Sequence, residues 1–148
     1  MAYSTYAYLS KPTSLFNLDE FIDQLSRYTL KNKKRGITGF LAYDQRRFFQ
    51  YVEGEREVLE ELERSLRTDK RHEILVHTNY RSGEKKFDNW SMKVLSISDL
   101  TIVVPENQLI DLLSFSYQHG HLINDWEQEA WTLIDQIAKS KKMLLTDR

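Results

Sequence analysis

Three polar side chains are scattered over two strand-like runs and a helix end of this sequence: Tyr8 in an aromatic run, Asn32 near the end of a helical pattern, and Gln50 between Phe49 and Tyr51. A phenol can lose an electron and a proton together. A primary amide carries both an acceptor oxygen and a donor nitrogen, so rotating or tautomerising a glutamine exchanges what it offers its neighbours. Taken singly, each residue has a simpler explanation. Buried Tyr and Gln are usually satisfied core hydrogen-bonding groups, and an Asn near a helix end is usually a cap. Only a shared pocket would lift them above that, so the elements that position them decide the matter.

Other chemistries are poorly supplied. The chain has no cysteine, which removes disulfides, thiolate metal sites, iron–sulfur clusters, cysteine nucleophiles and any cysteine adduct of a chromophore. Its 5 glycines form no Gly-rich phosphate loop. His119-Gly120-His121 lacks the carboxylates or thiolates that would complete a metal site. Glu57, Glu60 and Glu61 alternate with Arg64 and Arg67 as one solvated helix face, not as a paired-carboxylate site. Trp126 and Trp131 read as core or interface anchors rather than electron relays.

The bulk numbers are those of an ordinary globular protein, with 148 residues, 41% hydrophobic, 29% charged and a formal net charge of −1. That length predicts one domain with its own core. The charge predicts no attraction to nucleic acid or to an anionic membrane, and the clusters Lys31–Arg35 and Lys139–Lys142 read as solvated helix ends. No apolar run approaches the ~20 residues of a membrane span. Met1-Ala2-Tyr3-Ser4 has neither the basic start nor the apolar stretch of a secretion signal, so the cytoplasm is the expected compartment.

Residues 3–10 are aromatic and partly alternating, which predicts a strand closed by Pro12. Asn17 with Glu20 three residues later forms a capping-box pattern. Leu18, Phe21, Ile22, Leu25 and Tyr28 then recur at helical spacing to about Asn32. Residues 36–43 read as a buried strand in which Gly39 marks a close approach to the backbone. A polar turn at 44–46 leads into the return strand 47–53 of a hairpin. Val58, Leu59, Leu62 and Leu66 mark a second amphipathic helix. Further strands fit 72–80 and 90–97.

The order β-α-β-β-α-β-β predicts an α+β ferredoxin-like sheet with both helices on one face. Two additional C-terminal helices, over 105–117 and from Trp126 to Ile137, are expected to cover the other face as part of the same compact domain. In this topology the first and third strands are central neighbours. Tyr8 and Gln50 then face one another, and Asn32 sits where the first helix hands over to the second strand. A pocket floored by the sheet and walled by the helices would collect all three, the usual form of a cofactor site.

The run Asn32-Lys33-Lys34-Arg35-Gly36-Ile37-Thr38-Gly39-Phe40-Leu41, followed by Phe48-Phe49-Gln50-Tyr51-Val52-Glu53-Gly54, resembles the core signature of BLUF domains. The resemblance extends to Tyr8-Leu9-Ser10, Asp69-Lys70-Arg71-His72 and Phe87-Asp88-Asn89-Trp90-Ser91-Met92. It spans residues 3 to about 97 and implies a blue-light photosensor domain over residues 1–100 without enzymatic activity, while 101–148 are expected from their apolar pattern to form a helical cap of the same domain. It also implies a flavin, FAD or alternatively FMN or riboflavin, held non-covalently between the two helices. Tyr8 would match the tyrosine that gives an electron to the excited flavin, and Gln50 the glutamine between that tyrosine and the ring. Asn32 would hold the ring's polar edge, with Arg71 and His72 nearby and Ile37, Leu41 and Phe48 as apolar lining. Trp90 and Met92 match the pair on the fifth strand whose environment reports the switch outward.

The resemblance further implies a separate protein partner that reads the switch, and the C-terminal helices make a homo-oligomer an expected possibility. Tyr43 and Tyr51 add oxidisable rings as competing donors or packing groups, and Tyr28 stands one turn before Asn32, where it would narrow the pocket. Two other readings are open. One is a flavin-free interaction module of the same fold, against which the intact Tyr8, Asn32 and Gln50 argue. The other is an acylphosphatase-like hydrolase, which would need an arginine-bearing anion loop near the first strand, where only Lys11 and Pro12 stand.

Overall fold

A computed structural model describes residues 3–43, 47–88, 91–96 and 126–146. They fall into two compact units, Met1–Leu95 and Ser96–Arg148. In the first unit the order is β1 (Tyr3–Pro12), α1 (Leu18–Lys34), β2 (Thr38–Tyr43), β3 (Phe48–Gly54), α2 (Arg56–Thr68), β4 (His72–His77), β5 (Arg81–Gly83) and β6 (Ser91–Ser96). The strands lie in the order β4-β1-β3-β2-β6, with β5 also pairing with β1. β1 is antiparallel to β3 and β4, and β2 is antiparallel to β3. This is the expected ferredoxin-like α+β fold.

Alternation sorts the side chains of the central strands onto two faces. On one face Tyr6, Tyr8, Ile37, Leu41, Phe48 and Val52 form a buried cluster with Leu59 of α2, and Phe21, Val58, Leu62 and Leu66 of the helices pack against it. Each fully buried large side chain there contributes about 2 kcal/mol. On the other face Phe40, Phe49, Tyr51 and Phe87 form an aromatic group with ring centroids 5.3–5.9 Å apart.

Gly39 has φ +145°, and a Cβ there would lie 2.0 Å from the Tyr51 carbonyl oxygen, so the close approach expected at this glycine is that of the neighbouring strand. Asn17 caps α1 by accepting from the Glu20 N–H at 3.0 Å, worth about 1 kcal/mol.

Several boundaries move. β1 runs through Pro12 instead of closing before it. β3 leaves β1 after Ser10, so at Pro12 only β4 is alongside, and the missing N–H interrupts no central ladder. The strand expected over 72–80 ends at His77, and an unexpected short strand, β5, follows beyond it at Arg81–Gly83 on the same side of β1. β5 has no apolar residue to signal it.

The second unit contains α3 (Trp126–Thr146), on which Ala130, Trp131, Ile134, Ile137 and Ala138 are buried at helical spacing. The helix expected over 105–117 and the His119-Gly120-His121 pair lie outside the described residues, as does the turn at 44–46.

Candidate functional site

Tyr8 and Gln50 are direct partners in the β1–β3 register, and Gln50 is in turn opposite Leu41 of β2. Directly opposed residues share a face, so all three point toward the helices. The Tyr8 hydroxyl donates to Gln50 Oε1, and both residues are buried, at 4% and 7% exposure. Burial first, then the neighbouring Tyr6 and Asp69, push the Tyr8 phenol above its ordinary value. Tyr8 is therefore a neutral phenol with a single defined acceptor.

Asn32 is fixed from the backbone outward. It is not the cap of α1, which is Arg35, but lies three residues before it. The Ile37 N–H donates to the Asn32 carbonyl at 2.9 Å and the Gly36 N–H to the Lys33 carbonyl at 3.2 Å. This is the double bond of a Schellman ending, and Gly36 supplies its left-handed residue with φ +70°. The sequence Arg35-Gly36-Ile37 thus sets where the Asn32 amide stands.

Tyr8, Asn32 and Gln50 line one cavity of about 290 Å³. β1 contributes Ser10, β2 Leu41 and β3 Phe48. α1 contributes Phe21, Leu25 and Tyr28, and α2 contributes Leu62 and Leu66. Asp69, Arg71 and His72 complete it between α2 and β4. Of the expected apolar lining, Leu41 and Phe48 are present. Ile37, fully buried, belongs to the core cluster and does not line the cavity.

Arg71 does more than stand nearby. Its guanidinium holds Asp69 at 2.7 Å and donates to Tyr28 Oη at 3.1 Å and to Gln24 Oε1 at 3.2 Å. Hydrogen bonds from Arg71 hold the Asp69 carboxyl below its usual range. Tyr28 itself donates to Gln24 Oε1 at 2.6 Å. The loop before β4 is thereby tied to α1 across the cavity. His72 Nε2 is 2.8 Å from the Leu66 carbonyl.

Trp90 lies outside the described residues, and Met92 lies on β6, beside β2. Tyr51 does not share the cavity. It faces the other side of the sheet, where its hydroxyl donates to Glu53 at 2.9 Å. Tyr43 stacks beside Phe48 with centroids 6.2 Å apart.

Sequence reasoning passed over Ser10. It is fully buried, it lines the cavity, and its hydroxyl has no hydrogen-bond partner among the described residues. Its alternation with Tyr8 on β1 was the available signal. Glu53 was passed over as well. It is fully buried and accepts from Thr38 Oγ1, Tyr51 Oη and the Lys86 and Phe87 N–H groups at 2.7–2.9 Å. Among the described residues no group of His, Asp or Glu side chains could hold a metal, and no helix is long and apolar enough to cross a membrane.

Comparison with known proteins bears on the family and the fold. The photoactivated adenylate cyclase subunit beta of Euglena longa is 35% identical over 97 residues, 64% of this chain but 11% of that protein. This chain thus spans about a tenth of the length of that curated relative. A solved structure described as BlrB, a BLUF protein in its dark state, has a TM-score of 0.66 and covers 93% of this chain and 96% of its own. At 24% identity that likeness shows the fold. The solved BlrP1 BLUF structure is 27% identical with a TM-score of 0.58, covering 78% of this chain and 77% of its own. The family model for BLUF, sensors of blue-light using FAD, matches residues 4–93. With that match over more than half of its length, the chain belongs to the BLUF family of flavin-using blue-light sensors.

Proposed function

We propose that the chain binds FAD in the Tyr8–Asn32–Gln50 cavity and converts blue light into a change of hydrogen bonding at Gln50 that a protein partner reads. The observation that carries this reading is the buried Tyr8–Gln50 hydrogen bond at the wall of a cavity between two helices.

The residues present fit a flavin. The apolar sides of Phe21, Leu25, Leu41, Phe48, Leu62 and Leu66 suit a flat heteroaromatic ring. The amides of Asn32 and Gln50 offer donors and acceptors to its polar edge, and the orphaned Ser10 hydroxyl is a buried group that a ligand in the cavity would satisfy. Lys31 and Arg35 also line the cavity and offer cationic partners to a phosphate-bearing flavin tail, which favours FAD or FMN over riboflavin.

The bound flavin would supply light absorption and, once excited, the oxidising power. Tyr8 would give up the electron, and its proton would follow the existing hydrogen bond to Gln50 Oε1. Gln50, as an amide with two different ends, would return the proton in a changed arrangement. With its electron returned as well, Tyr8 would then be restored while its partner's donor and acceptor pattern is reset. Asn32 would hold the ring edge in register, and the Arg71–Tyr28–Gln24 tie would keep the cavity closed to water.

The reset at Gln50 has a short path outward. β3 is paired with β2, and β2 neighbours β6, which carries Met92 and follows Trp90. Trp90, Met92 and residues 101–148 are the proposed output to a separate partner, or to a second copy of the chain. The sensor role involves no catalysis by residues 1–100.

The test is reconstitution. The flavin-free protein is titrated with FAD, FMN and riboflavin, following quenching of flavin fluorescence. Tight binding of FAD and FMN with weaker binding of riboflavin supports the assignment. No binding of any of the three removes it in favour of a flavin-free interaction module.

A further inference from the structure

A line of three tyrosines runs away from the cavity. The rings of Tyr8 and Tyr6 lie with centroids 6.2 Å apart, and Tyr6 stacks on Tyr80 at 5.0 Å with an interplanar angle of 22°. Tyr6 is buried at 2% exposure, while Tyr80 is half-buried. The Tyr80 hydroxyl donates to Glu63 Oε1 at 2.6 Å. Arg67 holds the other oxygen of Glu63 at 2.8 Å. Burial works against the Glu63 charge, but the hydrogen bonds from Tyr80 and Arg67 keep its carboxyl below the usual range, so a carboxylate faces the phenol.

The two ends of this line differ in the base they offer. A phenol loses an electron readily only when its proton can leave at the same time. Tyr8 has a neutral amide oxygen as acceptor, whereas Tyr80 has a carboxylate, a far stronger base. An oxidising equivalent created at Tyr8 is therefore more stable at Tyr80. The Arg56 guanidinium, 4.0 Å from the Tyr80 ring centroid, opposes this by its charge. Proton transfer to Glu63 removes the positive charge that Arg56 would disfavour.

We infer that Tyr6 and Tyr80 form, with Tyr8, an electron relay that carries the oxidising equivalent of the light reaction from the flavin cavity to Tyr80 and its base Glu63. The inference rests on the photosensor reading above for the first electron transfer. In the relay step one electron passes from Tyr80 through the Tyr6 ring to the Tyr8 phenoxyl radical. The Tyr80 proton moves to Glu63 Oε1, and Tyr8 recovers its own proton from Gln50. Tyr8 ends as a neutral phenol and Tyr80 as a neutral radical, with no charge or atom unaccounted for. The relay competes with return of the electron from the flavin, so it sets how often a photon resets Gln50 and how often it ends in a radical near the surface.

The test locates the radical instead of measuring output. Full-length protein carrying FAD is illuminated with blue light in aerated buffer, where dioxygen takes the electron from the flavin. A dimethyl-phenylenediamine label that couples to tyrosyl radicals is included, and labelled peptides are mapped by mass spectrometry. The relay predicts a light-dependent label on Tyr80 that disappears in Tyr8→Phe, in Tyr6→Leu and in Glu63→Gln. Glu63→Gln keeps the side chain's shape and removes only the base, so it tests the relay even if Tyr6→Leu does not fold. No label on Tyr80 in the unmodified protein, or a label that persists in Glu63→Gln or Tyr8→Phe, overturns it. Absorption spectra of the same samples separate the two levels. A light-induced flavin shift without Tyr80 labelling overturns the relay alone, and a protein with no flavin spectrum overturns the photosensor reading as well.

Discussion

Tyr8 on β1 and Gln50 on β3 are directly opposed in the sheet, and the Tyr8 hydroxyl donates to Gln50 Oε1 inside the cavity wall. The contact joins residues 42 apart in sequence through one strand register, so its geometry is as rigid as the centre of the sheet. Tyr8→Phe removes the donor while keeping the ring that packs on Tyr6 and lies 6.1 Å from His72. The expected loss of stability is about 1 kcal/mol, read as a small fall in the urea midpoint, with flavin binding retained.

Asn32 owes its position to the Schellman ending of α1, and its proposed role to its place in the cavity wall. Asn32→Ala leaves the helix ending intact, since the bonds that form it use the backbone carbonyls of Asn32 and Lys33. Loss of one buried amide contact is expected to weaken FAD binding by about 1–3 kcal/mol, or roughly 5- to 150-fold. A titration of the flavin-free variant with FAD checks this, and unchanged affinity would remove Asn32 from the ring edge.

Glu53 is the polar centre of the opposite face. Four donors converge on its carboxylate, two from hydroxyls and two from the backbone just before β6. Glu53→Ala leaves them buried without that acceptor, at about 1–3 kcal/mol for each group that finds no water. A loss of at least about 3 kcal/mol is expected. Hydrogen exchange should also speed up at the Lys86 and Phe87 amides, which a mere cavity elsewhere would not produce.

The buried phenols predict a steep alkaline limit. Burial, then neighbouring charges and phenols, raises Tyr6, Tyr8 and Tyr51 above their ordinary value near 10. Above that pH the unfolded chain releases these protons while the folded chain keeps them. Stability contributed by the neutral phenols is thus complete below pH ~10 and falls as pH rises beyond it. The slope approaches about 1.4 kcal/mol per pH unit for each phenol, or roughly 4 for the three. Absorbance of tyrosinate against pH should show these rings ionising only together with unfolding.

Much of this was legible in the sequence because it is periodic. Alternation along 3–10, 36–43 and 47–53 and the i, i+4 spacing of Leu62 and Leu66 gave the elements. The ferredoxin-like order then brought Tyr8 opposite Gln50. What was missed depends on contacts that no local pattern encodes. β5 is polar throughout and exists only because β1 offers an open edge at Tyr3–Thr5. The tie from Arg71 to Gln24 and Tyr28 spans more than 40 residues, and the sequence showed Tyr28 only as a bulky neighbour of Asn32. Tyr51 was expected near the site by its proximity to Gln50, but adjacent residues of a strand point to opposite faces. Ile37 was displaced from the lining for a related reason, since as the residue after Gly36 it is drawn into the core that seals the end of α1.

The most direct measurement is the light-minus-dark visible spectrum of the FAD-bound protein and of Gln50→Leu. A small red shift of the flavin band under blue light that relaxes in darkness, present in the parent and absent in Gln50→Leu, is the predicted result. A parent protein whose flavin band does not move, or a Gln50→Leu variant that shifts as the parent does, would contradict a light switch built on the Tyr8–Gln50 hydrogen bond.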